Sequence, residues 1–202
     1  LDPGSQNFYS IEDQEIFTHL RLHIYPDGGV ARLKVYGEVF KKWDKVGKEE
    51  RLDLASALNG GKALACNDMF FSSMGNLIMP GRGINMGDGW ETKRSRTPNN
   101  RDWVILKLAI PGYLDEFEVD TAFFKGNYPD RCSIEACSVD SDEAALSEQT
   151  KWDLVLGEQK LRADVIHFFP SQKIDKTFTH IRLNIFPDGG ISRLRAWGRK
   201  GD

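Results

Sequence analysis

Residues 178–186 alternate in polarity. Thr179, Ile181, Leu183 and Ile185 share one face, and His180, Arg182 and Asn184 share the other. A period of two predicts a strand with one face on a core. The next four residues, Pro187-Asp188-Gly189-Gly190, have the chemistry of a tight turn. Proline fixes φ, aspartate can hydrogen-bond its own backbone, and glycine accepts positive φ. Residues 191–197 are predicted to return as the second strand of a hairpin. Residues 103–110 (WVILKLAI) are nearly all apolar and predict a strand buried on both faces. Residues 117–124 alternate, with Phe117, Val119, Thr121 and Phe123 opposite Glu118, Asp120 and Ala122. Further strands are predicted at 132–139, 152–156 and 161–169. The only predicted helix is short, 52–58, ended by Asn59-Gly60-Gly61. Short strands separated by turns predict an all-β antiparallel sandwich.

Two stretches break the pattern. Residues 66–101 are rich in Gly, Asn, Met and Arg and have little periodicity. An irregular run of that length in a compact domain is uncommon, and such runs often carry function. Residues 138–151, with Asp140, Asp142, Glu143 and Glu148, read as an exposed acidic loop without chemistry.

The hairpin occurs twice. FTHLRLHIYPDGGVARLKVYG at 17–37 and FTHIRLNIFPDGGISRLRAWG at 178–198 agree at 13 of 21 positions. An offset of 161 residues suits a duplicated domain rather than a solenoid. The second copy closes a unit, so the first is expected to close an earlier one. The expected division is 1–37, the closing part of a first repeat, and 38–202, a complete second repeat.

Composition narrows the function. Hydrophobic residues are 40% and charged residues 28% of the chain, an ordinary globular balance. The 27 basic and 30 acidic residues are well mixed, which argues against nucleic acid as a partner. No apolar run approaches the ~18 residues that would suggest a membrane span. No signal peptide is read, and Leu1 is not expected to be a native start. Cys66, Cys132 and Cys137 are an odd set without a CxxC pair. A secreted disulfide framework or structural zinc site is therefore not expected, and the chain is assigned to an intracellular compartment, cytoplasmic or peroxisomal.

Three motifs in this order resemble the allantoicase family: MPGRGINMGDGWETKRSR (79–96), VDTAFFKGNYP (119–129) and the twice-used HxRLxIxPDGGxxRLxxxG. The resemblance covers essentially the whole chain. It implies jelly-roll β-sandwich repeats of the galactose-binding-domain type. It also implies hydrolysis of allantoate to ureidoglycolate and urea, and two repeats in a parent chain lead us to expect a homo-oligomer. No cofactor is implied.

Allantoate carries a carboxylate and two ureido groups. Its site needs a cation, amide-type donors and acceptors, and a proton-transferring residue. Arg82, Arg94 and Arg96 supply cations in the 79–96 loop, and Asp88 and Glu91 supply carboxylates. Asp120, on an apolar strand, and His180 complete the catalytic candidates. Trp90, Asn127 and Arg182 join the arginines as substrate-binding candidates. Each has a plainer reading. Trp90 could plug the core, Glu91 and Arg94 could form a surface pair, and Asp120 and Asn127 could stabilise turns. His180 could be a satisfied hydrogen-bonding group, and Arg182 and Arg193 could be scaffold. Asp88, Glu91 and Asp120 could also bind a divalent metal, although no spacing requires one. The alternatives to an enzyme are a non-catalytic sandwich binding a small ligand or carbohydrate, with Trp90 and Trp103 as stacking platforms, or a truncated, inactive relative.

Overall fold

The structure is a computed structural model and describes residues 1–201. The chain divides into two units, Leu1–Phe40 and the residues from Lys41 onward. The described residues of Leu1–Phe40 contain no helix or strand. Their apolar side chains, among them Phe17, Leu20 and Leu22, are exposed.

The second unit is built from strands. They are β1 (Leu52–Asp53), β2 (Lys62–Cys66), β3 (Trp90–Glu91), β4 (Asp102–Asp120), β5 (Arg131–Cys137), β6 (Asp153–Lys160), β7 (Ile166–Pro170), β8 (Phe178–Phe186), β9 (Gly190–Ile191) and β10 (Arg193–Lys200). Strand β4 organises the whole. Its first part, 102–107, pairs with β2 and β8; β8 pairs with β5, and β5 with β6. Its second part, 112–120, pairs with β10 and β7, and β10 pairs with β1. All of these pairings are antiparallel. One long strand thus serves both layers of a jelly-roll sandwich. The change of layer falls where the register jumps between Lys107 and Gly112. Pro111 has no N–H to give a ladder there. A Cβ on Gly112 would sit 2.5 Å from the Arg199 carbonyl oxygen, so only glycine lets the strands approach so closely.

The core lies between the layers. Val104, Leu106, Phe117, Val119, Ile134, Ile181, Leu183, Leu194 and Ala196 are all fully buried. Burying a Leu, Ile, Val or Phe side chain contributes roughly 1.5–3 kcal/mol. The apolar run 103–110 is buried on both faces where it crosses the sheet, with Ile105 at 4% exposure between Val104 and Leu106 at 0%. The cysteines are free, and burial pushes the Cys132 thiol up to about 12.

Several local expectations change. The predicted helix at 52–58 is instead the two-residue strand β1 and a 3-10 turn, Ala57–Asn59, capped by the Ser56 side chain. Tertiary pairing with β10 overrides the helical pattern, and the buried Asp53 carboxylate accepts hydrogen bonds from the backbone N–H groups of Ala55 and Ala196. The predicted strands at 103–110 and 117–124 are one strand. It ends at Asp120, because Phe123 takes φ 71° and reverses the alternation, burying Phe124 in place of Phe123. The 161–169 prediction shortens to β7. The acidic loop at 138–151 holds the only α-helix among the described residues, α1 (Asp142–Ala145), capped by Ser141. The polar face of β8 is also covered: His180 and Asn184 are 2% and 1% exposed. Asp142, next to α1's capping serine, reaches His180, and Glu135 of β5 binds both Arg182 and Asn184.

Candidate functional site

The 79–96 loop takes its shape from the hairpin motif. Strand β3 pairs with β9, Trp90 opposite Ile191 and Glu91 opposite Gly190. Trp90 is fully buried, and its indole N–H donates to the Asp68 carbonyl at 2.8 Å. Alternation along β3 then turns Glu91 outward. The Thr92 N–H donates to the Gly189 carbonyl, and the Gly189 N–H returns to Thr92 Oγ1, both at 3.1 Å. The Ser95 N–H donates to Asp188 Oδ2 at 2.8 Å, and Asn100 Nδ2 donates to the Pro187 carbonyl at 2.6 Å. Beneath this turn lies Phe124. A Cβ on Gly190 would fall 1.9 Å from its ring, which accounts for the glycine.

Beside the turn opens a cleft of about 700 Å³, lined in part by Glu91, Arg94, Asn127, Tyr128, Lys160 and Asp188. Asn127 Nδ2 donates to Glu91 Oε1 in a short contact, and the Gly190 N–H holds the Asn127 carbonyl at 2.9 Å. Lys160 is committed to Asp130 at 2.6 Å, and that ammonium holds the Asp130 carboxyl below its ordinary range. Arg94 has no hydrogen-bond or ion-pair partner among the described residues. The cleft therefore offers an unpaired guanidinium beside a carboxylate–amide pair. That combination can clamp a carboxylate and move a proton.

The structure thus brings three of the sequence candidates, Glu91, Arg94 and Asn127, to one cleft. The others lie elsewhere. Asp88 accepts from Arg193 Nη2 at 2.9 Å and from the Ile84 N–H at 3.2 Å. Asp120, 1% exposed, accepts from Arg82 Nε at 3.2 Å and the Ala122 N–H at 2.8 Å. Arg96 is exposed and outside the cleft lining. Arg182 pairs with Glu135 at 2.8 Å and stacks 4.7 Å over Trp152. His180 lies six residues up β8 from Phe186, roughly 20 Å from the turn at 3.3 Å per residue. Burial lowers its pKa, although Asp142 at 3.3 Å partly opposes the shift. Asp142 in turn is lowered chiefly by Lys107 at 2.7 Å. The possible ligand set Asp88, Glu91 and Asp120 is split among Arg193, Asn127 and Arg82. No group of three His, Cys, Asp or Glu among the described residues could hold a metal ion. None of their helices is long and apolar enough to cross a membrane.

Sequence reasoning missed Asp188, Thr92 and Lys160 as cleft residues. For Asp188 a signal was present: it recurs as Asp27 in the duplicated motif, but turn chemistry alone explained it. Lys160 had no signal, since only tertiary pairing of β6 with β5 brings it there.

The allantoicase-repeat family model matches residues 1–40 and 52–201. A probable allantoicase of Pseudomonas fluorescens (strain SBW25) is 52% identical over 202 residues, 98% of this chain and 61% of that protein. The chain therefore spans about three-fifths of that relative's length. Among solved structures, allantoicase from Saccharomyces cerevisiae superposes with a TM-score of 0.68 at 36% identity, over 80% of this chain and 45% of its own. CBM32-3 of a family 31 glycoside hydrolase from Clostridium perfringens superposes with a TM-score of 0.55 over 79% of this chain and all of its own. At 12% identity, that likeness shows the fold alone. With nearly the whole length matched by the family model, and relatives of one description at about half identity, this chain belongs to the allantoicase family.

Proposed function

We propose that this chain takes part in the hydrolysis of allantoate to ureidoglycolate and urea, and that the cleft beside the 187–190 turn is its substrate site. The family assignment supplies the reaction. The observation that carries the placement is the unpaired Arg94 guanidinium in the same cleft as the Glu91–Asn127 pair. Arg94 takes the substrate carboxylate, for which a planar guanidinium is the best side-chain partner. Asn127 and Glu91 face a ureido group, whose N–H and C=O groups match an amide and a carboxylate. In the reaction the bond from the central carbon to one ureido nitrogen breaks. That nitrogen gains a proton and leaves in urea, and the hydroxyl of water ends on the carbon. Glu91 is the cleft group placed to relay that proton. Asp88, Asp120, Arg82 and Arg193 act at one remove by fixing the loop that presents β3.

The test is urea release by the purified chain and two variants. Glu91→Gln should lower kcat by about 100-fold or more, the usual contribution of a general acid–base group. Arg94→Ala should raise KM by about 10-fold or more with a smaller change in kcat, the mark of lost binding. Folded variants that keep the parent's kinetics would remove the cleft from the reaction. We also propose self-association, as expected for a repeat protein; sedimentation as a monomer at micromolar concentration would refute it.

A further inference from the structure

We propose that Asp188, in the turn between β8 and β9, is a positioning residue that sets Arg94 for the substrate carboxylate. This rests on the reading of the cleft given above. The Arg94 guanidinium has no protein partner among the described residues, so nothing at its tip holds it before substrate arrives. Fixing such a side chain costs rotamer entropy. The remaining control lies in the main chain that carries it. That main chain is tied on both sides of Arg94 to one turn. On the N-terminal side, Thr92 and Gly189 exchange two hydrogen bonds at 3.1 Å. On the C-terminal side, the Ser95 N–H donates to Asp188 Oδ2 at 2.8 Å. The first tie uses no side chain of the turn, so it survives substitution at Asp188. The second depends on one carboxylate, and a hydrogen bond to an ionised acceptor is stronger than its neutral equivalent.

The same turn sets the opposite wall. The Gly190 N–H holds the Asn127 carbonyl, and Gly190 pairs with Glu91. Arg94, Asn127 and Glu91 are thus referred to a single four-residue turn, and Asp188 is the only side chain in it that holds the arginine segment. An aspartate needed only for turn geometry would not have to reach residue 95.

The experiment measures binding of two inert probes to the full chain by calorimetry or NMR titration. Hydantoate carries one ureido group and one carboxylate; hydantoic acid amide lacks the charge. The proteins are the parent, Asp188→Ala, Asp188→Asn, Arg94→Ala and the Asp188→Ala/Arg94→Ala double variant, each checked for an intact thermal transition. Asp188→Ala should weaken hydantoate about 10-fold and leave the amide unchanged, while Asp188→Asn, which keeps an acceptor oxygen, recovers most of the loss. In the double variant, loss of Asp188 should add nothing to loss of Arg94. Equal losses for both probes, or additive losses in the double variant, would make Asp188 a purely structural turn residue and overturn the proposal. So would parent-like hydantoate binding by Asp188→Ala when Arg94→Ala binds weakly; the cleft reading would then stand without it. A parent that binds neither probe and releases no urea from allantoate would overturn the cleft reading, and this proposal with it.

Discussion

Segments 17–37 and 178–198 share 13 of 21 residues and differ in structure. In the second, Phe178, Ile181, Leu183 and Ile185 are 0–1% exposed and lie in β8. In the first, the matching Phe17, Leu20, Leu22 and Ile24 are 40–59% exposed, and no strand forms. The turn glycine is alike in both, with φ of 137° at Gly28 and 131° at Gly189. The difference teaches which part of the motif is local. A proline–glycine turn is set by its own residues. The strands are not, since β8 needs β4 and β5 on its two sides and β10 needs β1 and β4. Two strands alone are marginal in water. Within the second unit, the motif is a central element of both layers.

The largest test of that difference is a matched pair of truncations. Leu183→Ala opens a cavity in a fully buried site and should cost about 3–4 kcal/mol, within the range for core Leu→Ala. Leu22→Ala removes an exposed side chain and should change stability by less than about 0.5 kcal/mol. Urea unfolding of the full chain measures both. A comparable loss from Leu22→Ala would mean that segment 17–37 is packed in solution.

Arg193 and Arg32 sharpen the comparison. Arg193 is 2% exposed, and its guanidinium donates to the Asp88 carboxylate and to the carbonyls of Gly81, Asp88 and Ser192. Arg193→Ala leaves these acceptors unpaired. Because Asp88 keeps some contact with water, the expected cost is about 2–3 kcal/mol, below the range for a fully buried pair. Arg32→Ala should be within about 0.5 kcal/mol of the parent. Arg193→Ala should also reduce urea release, because the 79–89 loop leads directly into β3. Full activity in a destabilised Arg193→Ala variant would show that Glu91 is held by β9 alone.

Much of the sandwich was legible in the sequence. The alternation at 178–186 and the apolar run at 103–110 both marked strands, although His180 and Asn184 on the polar face of β8 are buried as well. What was not legible depends on partners distant in sequence. Pro111-Gly112 interrupts the run within 103–120, but whether the strand ends there or continues into the second layer is decided by β8, β7 and β10. Asp88 and Arg82 have the residue types a ureido acid requires, yet their charges meet Arg193 and Asp120 in the fold. Residue type names candidates; which charge is left unpaired is decided by packing. Arg94 stood out from Arg82 and Arg96 only once the cleft existed.

The smallest expected effect is a pH dependence at the far end of β8. His180 is buried against Asp142 Oδ1 at 3.3 Å and Thr179 Oγ1 at 2.8 Å, and Lys107 reaches the same Asp142 oxygen at 2.7 Å. Burial holds its folded pKa below the ordinary 6.5, because the imidazolium loses more hydration than Asp142 returns. As pH falls through about 6.5, the unfolded chain takes up a proton that the folded chain resists, so stability declines from there to the lowered folded value. The Asp142 contribution has a separate window. Its carboxyl is held low by Lys107, so its share is intact above about 3.8 and is lost only below that. A His180→Asn variant should therefore have a flatter urea-unfolding midpoint than the parent just below neutrality, and the same decline at strong acid. A variant that declined in parallel with the parent from pH 7 downward would place the proton uptake at another group and leave the His180–Asp142 contact without a share in the acid limb.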